Sequence, residues 1–143
     1  MASLKYNNYL LDSIVFLLVL LWAYTALSKL SNLNEFKLQI HYQNFSTPTA
    51  KMLLWFIPGI EISAAGLLLF AKTRFSGLLL SSILMFAFTG YVGLVLVGFY
   101  DKVPCSCGGA LSVLGWEAHL LFNLFFLSIS LLGARLQTIR NSN

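Results

Sequence analysis

The sequence predicts an all-α integral membrane protein, a four-helix bundle with a short interfacial amphipathic helix in its first outer loop. Three observations carry that prediction. Of 143 residues, 58% are hydrophobic and only 9 basic and 5 acidic side chains are present, whereas an ordinary soluble domain is about 25% charged. The 12 Phe, 6 Tyr and 3 Trp cannot remain solvated in an open chain. The apolar residues also gather in four runs, near 10–30, 50–71, 75–99 and 114–132, each close to the roughly 20 residues with which a helix crosses about 30 Å of hydrocarbon. A soluble globular domain and a disordered chain are both excluded. Four spans within one domain, 1–143, leave no room for a separate catalytic domain.

The first run, Leu10 to Leu30, lacks the alternation of a membrane strand, most plainly across Ile14 to Leu21, and so reads as a helix. Ala26-Leu27-Ser28 imitates a signal-peptide cleavage site behind an apolar run with Lys5 upstream; the segment is read as a retained span. After it, Leu33, Phe36 and Ile40 recur at helical spacing, interleaved with Glu35 and Lys37 and followed by His41. That pattern predicts a short helix lying flat in the interface and ended by Ser46-Thr47-Pro48, with a plain connector as the alternative. The second run, Ala50 to Ala71, holds Glu61 beyond Pro58-Gly59. A carboxylate inside hydrocarbon must be protonated or paired, and Lys29 at the outer end of the first span is the nearest candidate. The pair reads equally as a structural brace and as a polar or proton-handling site. In the second and third runs, Gly59 with Ser63 and Gly77 with Ser81 are small-xxx-small pairs, and Gly90, Gly93 and Gly98 thin the outer half of the third; all are expected at close helix contacts.

Charge sets the expected orientation. An even number of spans places Lys5, Lys72, Arg74, Arg135 and Arg140 on one side and Lys29, Lys37, Lys51 and Lys102 on the other, the latter diluted by Glu35 and Asp101. The tight turn Lys72-Thr73-Arg74 decides for the first group as cytoplasmic. Both termini are then cytoplasmic and the segment at 100–113 is outside, periplasmic in a bacterial inner membrane. The net charge of +4 is topological and makes no basic, aromatic-interleaved stripe for nucleic acid.

The most specific chemical signal is Val103-Pro104-Cys105-Ser106-Cys107-Gly108-Gly109, which holds both cysteines of the chain. A disulfide between positions i and i+2 closes a very small ring, bends away from preferred bridge geometry and reduces readily. A redox pair is the favoured reading. A metal site would require two more ligands, of which His119 supplies one at most, and inert thiols are the third option. In the fourth span, near 114–132, His119, Asn123 and Ser130 share one helical face with Trp116 at its outer end, while Glu117 points elsewhere. Such a stripe faces the bundle interior. It serves either as interhelical hydrogen bonding or, through an imidazole beneath the cysteine segment, as a carrier for the thiol proton.

Read in order, Ala26-Leu27-Ser28-Lys29, Phe56-Ile57-Pro58-Gly59-Ile60-Glu61 and Pro104-Cys105-Ser106-Cys107-Gly108-Gly109, the chain resembles the MauE/DoxX family of redox-associated membrane proteins over nearly its whole length. Trp116, His119 and Asn123 are similar to the variant found in Bacteroidota. The resemblance implies a four-helix membrane bundle and, for MauE itself, a role in forming disulfides in an exported enzyme subunit alongside a thioredoxin-like partner. By position, the family's Ser-Lys motif falls on Ser28 and Lys29, its membrane Glu on Glu61 and its cysteine pair on Cys105 and Cys107.

The expected function is therefore an inner-membrane thiol-disulfide component. Cys105 and Cys107 exchange disulfides with an exported thioredoxin-like or disulfide-containing protein, His119 handles protons, and Lys29, Glu61, Trp116 and Asn123 support the outer pocket. A quinone is left open as electron acceptor, no metal is expected, and membrane lipid with partner subunits or further copies surrounds the bundle. The competing class is a non-catalytic membrane subunit or anchor of a larger envelope complex.

Overall fold

The computed structural model describes residues 2–41, 46–99 and 115–142, with side chains from Tyr6 onward. Within them the chain forms α1 (Ala2–Ser31), α2 (Leu33–His41), α3 (Thr47–Leu69), α4 (Arg74–Leu96) and α5 (Trp116–Ser142). Four of these, all but α2, are long and apolar enough to cross a membrane. The protein is a multi-pass, all-helical membrane bundle.

The helices do not stop where the apolar runs stop. α5 continues past Leu132 to Ser142 and α1 begins before Leu10, because a helix satisfies its own backbone in lipid and water alike while hydropathy marks only the lipid part. The third span was expected to reach Phe99, but α4 closes at Leu96. There Gly98 takes φ +78°, its N–H donates to the Val95 carbonyl, and that of Phe99 donates to the Leu94 carbonyl. This is the paired closure that a left-handed residue after a helix permits. Ser46-Thr47-Pro48 opens α3 instead of ending α2: Pro48 sits in the first turn, where a missing N–H costs nothing, and the Ala50 N–H donates to the Ser46 carbonyl.

α1 packs against α3 and α5, and α4 packs against the same two. The four spans thus form a ring in the order α1, α3, α4, α5, with α3 and α5 on one diagonal. On α1 the buried stripe is Leu11, Val15, Leu18, Trp22, Thr25 and Lys29. On α5 it is His119, Asn123, Phe126, Ser130, Gly133 and Gln137. Both stripes alternate steps of 4 and 3 residues, which keeps one face of each helix turned inward along its length. The outward faces carry Phe86, Leu121, Phe16 and similar side chains, as lipid contact requires.

Two glycines fix the heights of the helices. A Cβ on Gly77 would lie 2.8 Å from the Leu68 backbone N, and one on Gly133 would lie 2.9 Å from Leu78 Cδ2 and 3.0 Å from Ile14 Cγ2. Among the described residues, Gly59, Gly90, Gly93 and Gly98 meet nothing within 4 Å. They are not the close-contact residues expected of them. Gly59 and Ser63 face outward, and Ser63 donates to the Gly59 carbonyl at 2.8 Å.

α2 is the short amphipathic helix expected after the first span, and its apolar residues Phe36 and Ile40 are buried where it packs on α3 and α1. At the opposite end of α1, Arg74 donates to Asp12 at 3.0 Å.

Candidate functional site

Lys29 lies in the last turn of α1 and Glu61 one turn beyond Pro58 in α3. The structure joins them: Lys29 Nζ donates to Glu61 Oε1 at 2.7 Å, with side chains only 4% and 1% exposed. The ammonium bends back along its own helix, 3.5 Å from the Thr25 carbonyl, and stands 5.9 Å from the centre of the Phe36 ring of α2. Removing two charges from water carries a penalty of several kcal/mol per ion, offset only by close pairing. A 2.7 Å contact between two buried groups meets that condition. Glu61 Oε2, however, is buried with no hydrogen-bond partner among the described residues.

α5 brings the second part of the site. His119 and Asn123 are buried, and Trp116 is half-buried at the helix start while Glu117 is exposed. Asn123 Nδ2 is a second buried donor with no partner among the described residues.

Heights along the bundle decide which of these groups share a layer. From Ile14 to Thr25 is eleven residues, and from Gly133 to Asn123 is ten, rises of about 16 and 15 Å at 1.5 Å per residue. Both start from the level where Gly133 touches Ile14. Glu61 is seven residues from Leu68, about 10 Å, and side chains in α3 lean toward its N-terminus, which carries the carboxylate further the same way. Thr25, the Lys29–Glu61 pair and Asn123 therefore occupy one layer, within about a helical turn. His119 lies one turn beyond Asn123, toward the Trp116 end.

Below this layer the interior is tied by neutral bonds. Trp22 Nε1 donates to Ser81 Oγ at 2.9 Å, Ser81 donates to the Gly77 carbonyl at 2.8 Å, and the Ser82 and Ser130 hydroxyls meet at 3.1 Å. Ser130, expected to share a functional stripe with His119, belongs to this structural tier. Sequence reasoning overlooked Thr25, Gln137 and the Asp12–Arg74 bridge. Gln137 continues the α5 stripe at the same spacing, and Thr25 is one turn from Lys29 on the buried face of α1, so periodicity alone could have found both.

Cys105 and Cys107 lie outside the described residues. Their segment joins the end of α4 to the start of α5, the end at which Trp116 and His119 stand. Among the described residues no three His, Cys, Asp or Glu side chains gather as a metal cage.

One comparison with known proteins is informative. The family described as "Methylamine utilisation protein MauE" has a model that matches residues 7–136. No curated protein and no solved structure matches the chain significantly.

Proposed function

The chain belongs to the MauE family, matched from residue 7 to residue 136, and from that premise we propose that it is the membrane component of a redox system that exchanges disulfides through Cys105 and Cys107. The observation that carries this reading is positional. Both cysteines of the chain stand two residues apart in the connection between α4 and α5, and that connection leads within four residues of Gly115 to a buried imidazole at His119.

The chemistry balances without an outside electron carrier. The thiolate of one cysteine attacks the disulfide of an exported thioredoxin-like protein, forming a mixed disulfide and releasing one partner thiolate. The second cysteine then attacks the mixed disulfide, leaving a Cys105–Cys107 bond and a partner dithiol. Run backwards, the same steps oxidise the partner. The two thiol protons end on the two partner sulfurs, and the His119 imidazole is placed to hold one of them between the steps. The small ring of an i, i+2 bridge supports easy reversal. The orientation that goes with this function puts the cysteines in the periplasm and the Lys72-Arg74 turn in the cytoplasm of a bacterial inner membrane.

Adduct trapping tests the reading. Cys105→Ser and Cys107→Ser, expressed singly in the native host, should differ: the variant that keeps the attacking thiol accumulates a covalent adduct that reductant removes. The double variant should assemble normally and lose function. Full function of the double variant, with no adduct in either single one, would replace the redox reading by that of a non-catalytic membrane subunit or anchor.

A further inference from the structure

The polar layer at Glu61 has more hydrogen-bonding capacity than the protein uses. Glu61 Oε2 is an acceptor and Asn123 Nδ2 a donor, each buried, each without a partner among the described residues, and the two residues are 1% and 3% exposed. A buried polar group left unmatched is costly, more so when it is charged. Two of opposite hydrogen-bonding sense in one layer form a complementary set.

Their separation also matters. α3 and α5 stand on the diagonal of the ring, so with neighbouring axes about 8–10 Å apart their own axes are roughly 11–14 Å apart. Among the described residues no hydrogen bond joins Glu61 to Asn123 across that diagonal. Lys29 stands on α1 between them and occupies Oε1, which holds the carboxylate in place and leaves Oε2 as the open position.

We propose that Glu61 and Asn123 together bind one neutral hydroxyl group, which donates to Glu61 Oε2 and accepts from Asn123 Nδ2. A cation would be repelled by Lys29 and an anion by Glu61, whereas a hydroxyl satisfies both open atoms with no added charge. Two sources supply that chemistry: an internal water, or the head of a lipid-soluble alcohol or phenol entering from the bilayer. Neither depends on the cysteines, so the inference stands apart from the disulfide exchange proposed above.

Solid-state NMR on the isotopically labelled, reduced wild-type protein in phosphatidylcholine bilayers tests it. Magnetisation is transferred from mobile water to the protein with and without added 4-heptylphenol. The Asn123 side-chain amide should receive water magnetisation several-fold faster than the buried backbone amides of Leu18 and Leu78. If heptylphenol leaves this unchanged, the bound hydroxyl is water; if it abolishes the transfer and shifts the Asn123 amide, the site takes a lipid-soluble hydroxyl. An Asn123 amide that neither receives water magnetisation nor responds to heptylphenol would show a dry, empty contact and overturn the proposal. No thiol takes part in this readout, so its failure leaves the adduct experiment undisturbed.

Discussion

At the scale of single residues, the Lys29–Glu61 pair is the most costly feature of the chain and the most informative. Its two members tolerate loss differently. Lys29→Met strands a carboxylate about 10 Å above the Leu68 level with nothing to neutralise it, and should lower the unfolding free energy by about 3–5 kcal/mol. Glu61→Gln keeps an oxygen that accepts from Nζ, and Lys29, two residues from the end of α1, can extend its stem toward the interface. That variant should lose less than half as much. Chemical unfolding in micelles, followed by tryptophan fluorescence, measures both, and equal tolerance would mean that the pair contributes nothing to the fold. Glu61 was legible in the sequence as a charge in hydrocarbon, and the topology pointed to Lys29. That Asn123 shares their layer was not legible, because relative height depends on where Gly77 and Gly133 let neighbouring helices touch.

At the scale of the helical elements, close approach is decided at two glycines among many. Sequence spacing singled out Gly59, Gly77, Gly90, Gly93 and Gly98 alike as packing residues, yet a small residue on a helix marks a contact only if its face turns inward. Gly77 does so against backbone, which cannot move aside as a side-chain tip can. Gly77→Ala should therefore separate α3 from α4 at a cost of about 1–3 kcal/mol. Gly90→Ala, with open space around its new methyl group, should be neutral or stabilise by up to about 1 kcal/mol through helix propensity. Paired thermal melts of the two variants check this, and a Gly77→Ala protein as stable as wild type would remove the tight α3–α4 contact as a determinant of the bundle. Gly133→Ala should fall between them, since it meets the tip of Leu78 and the branched Cγ2 of Ile14.

At the scale of the whole molecule, the orientation proposed above rests on the distribution of charge. Arg74 bridges to Asp12, while Lys72, Arg135 and Arg140 stand at that same end of the bundle by sequence position. Membrane-impermeant maleimide applied to intact cells after reduction should label Cys105 or Cys107, as the proposed cytoplasmic placement of the basic end requires. Labelling that appears only once the membrane is opened would invert the orientation and remove the periplasmic mechanism. The four spans, the α2 pattern, the charged intruders at Lys29 and Glu61 and the inward stripe of His119 and Asn123 were all determined by the sequence alone, since apolar length and helical periodicity are properties of the chain itself. Ring order, the burial of α2 on the bundle and the shared height of Glu61 and Asn123 were decided only by the tertiary structure. These depend on which helices are neighbours and at what level they touch, and periodicity within one helix carries no record of its register against another.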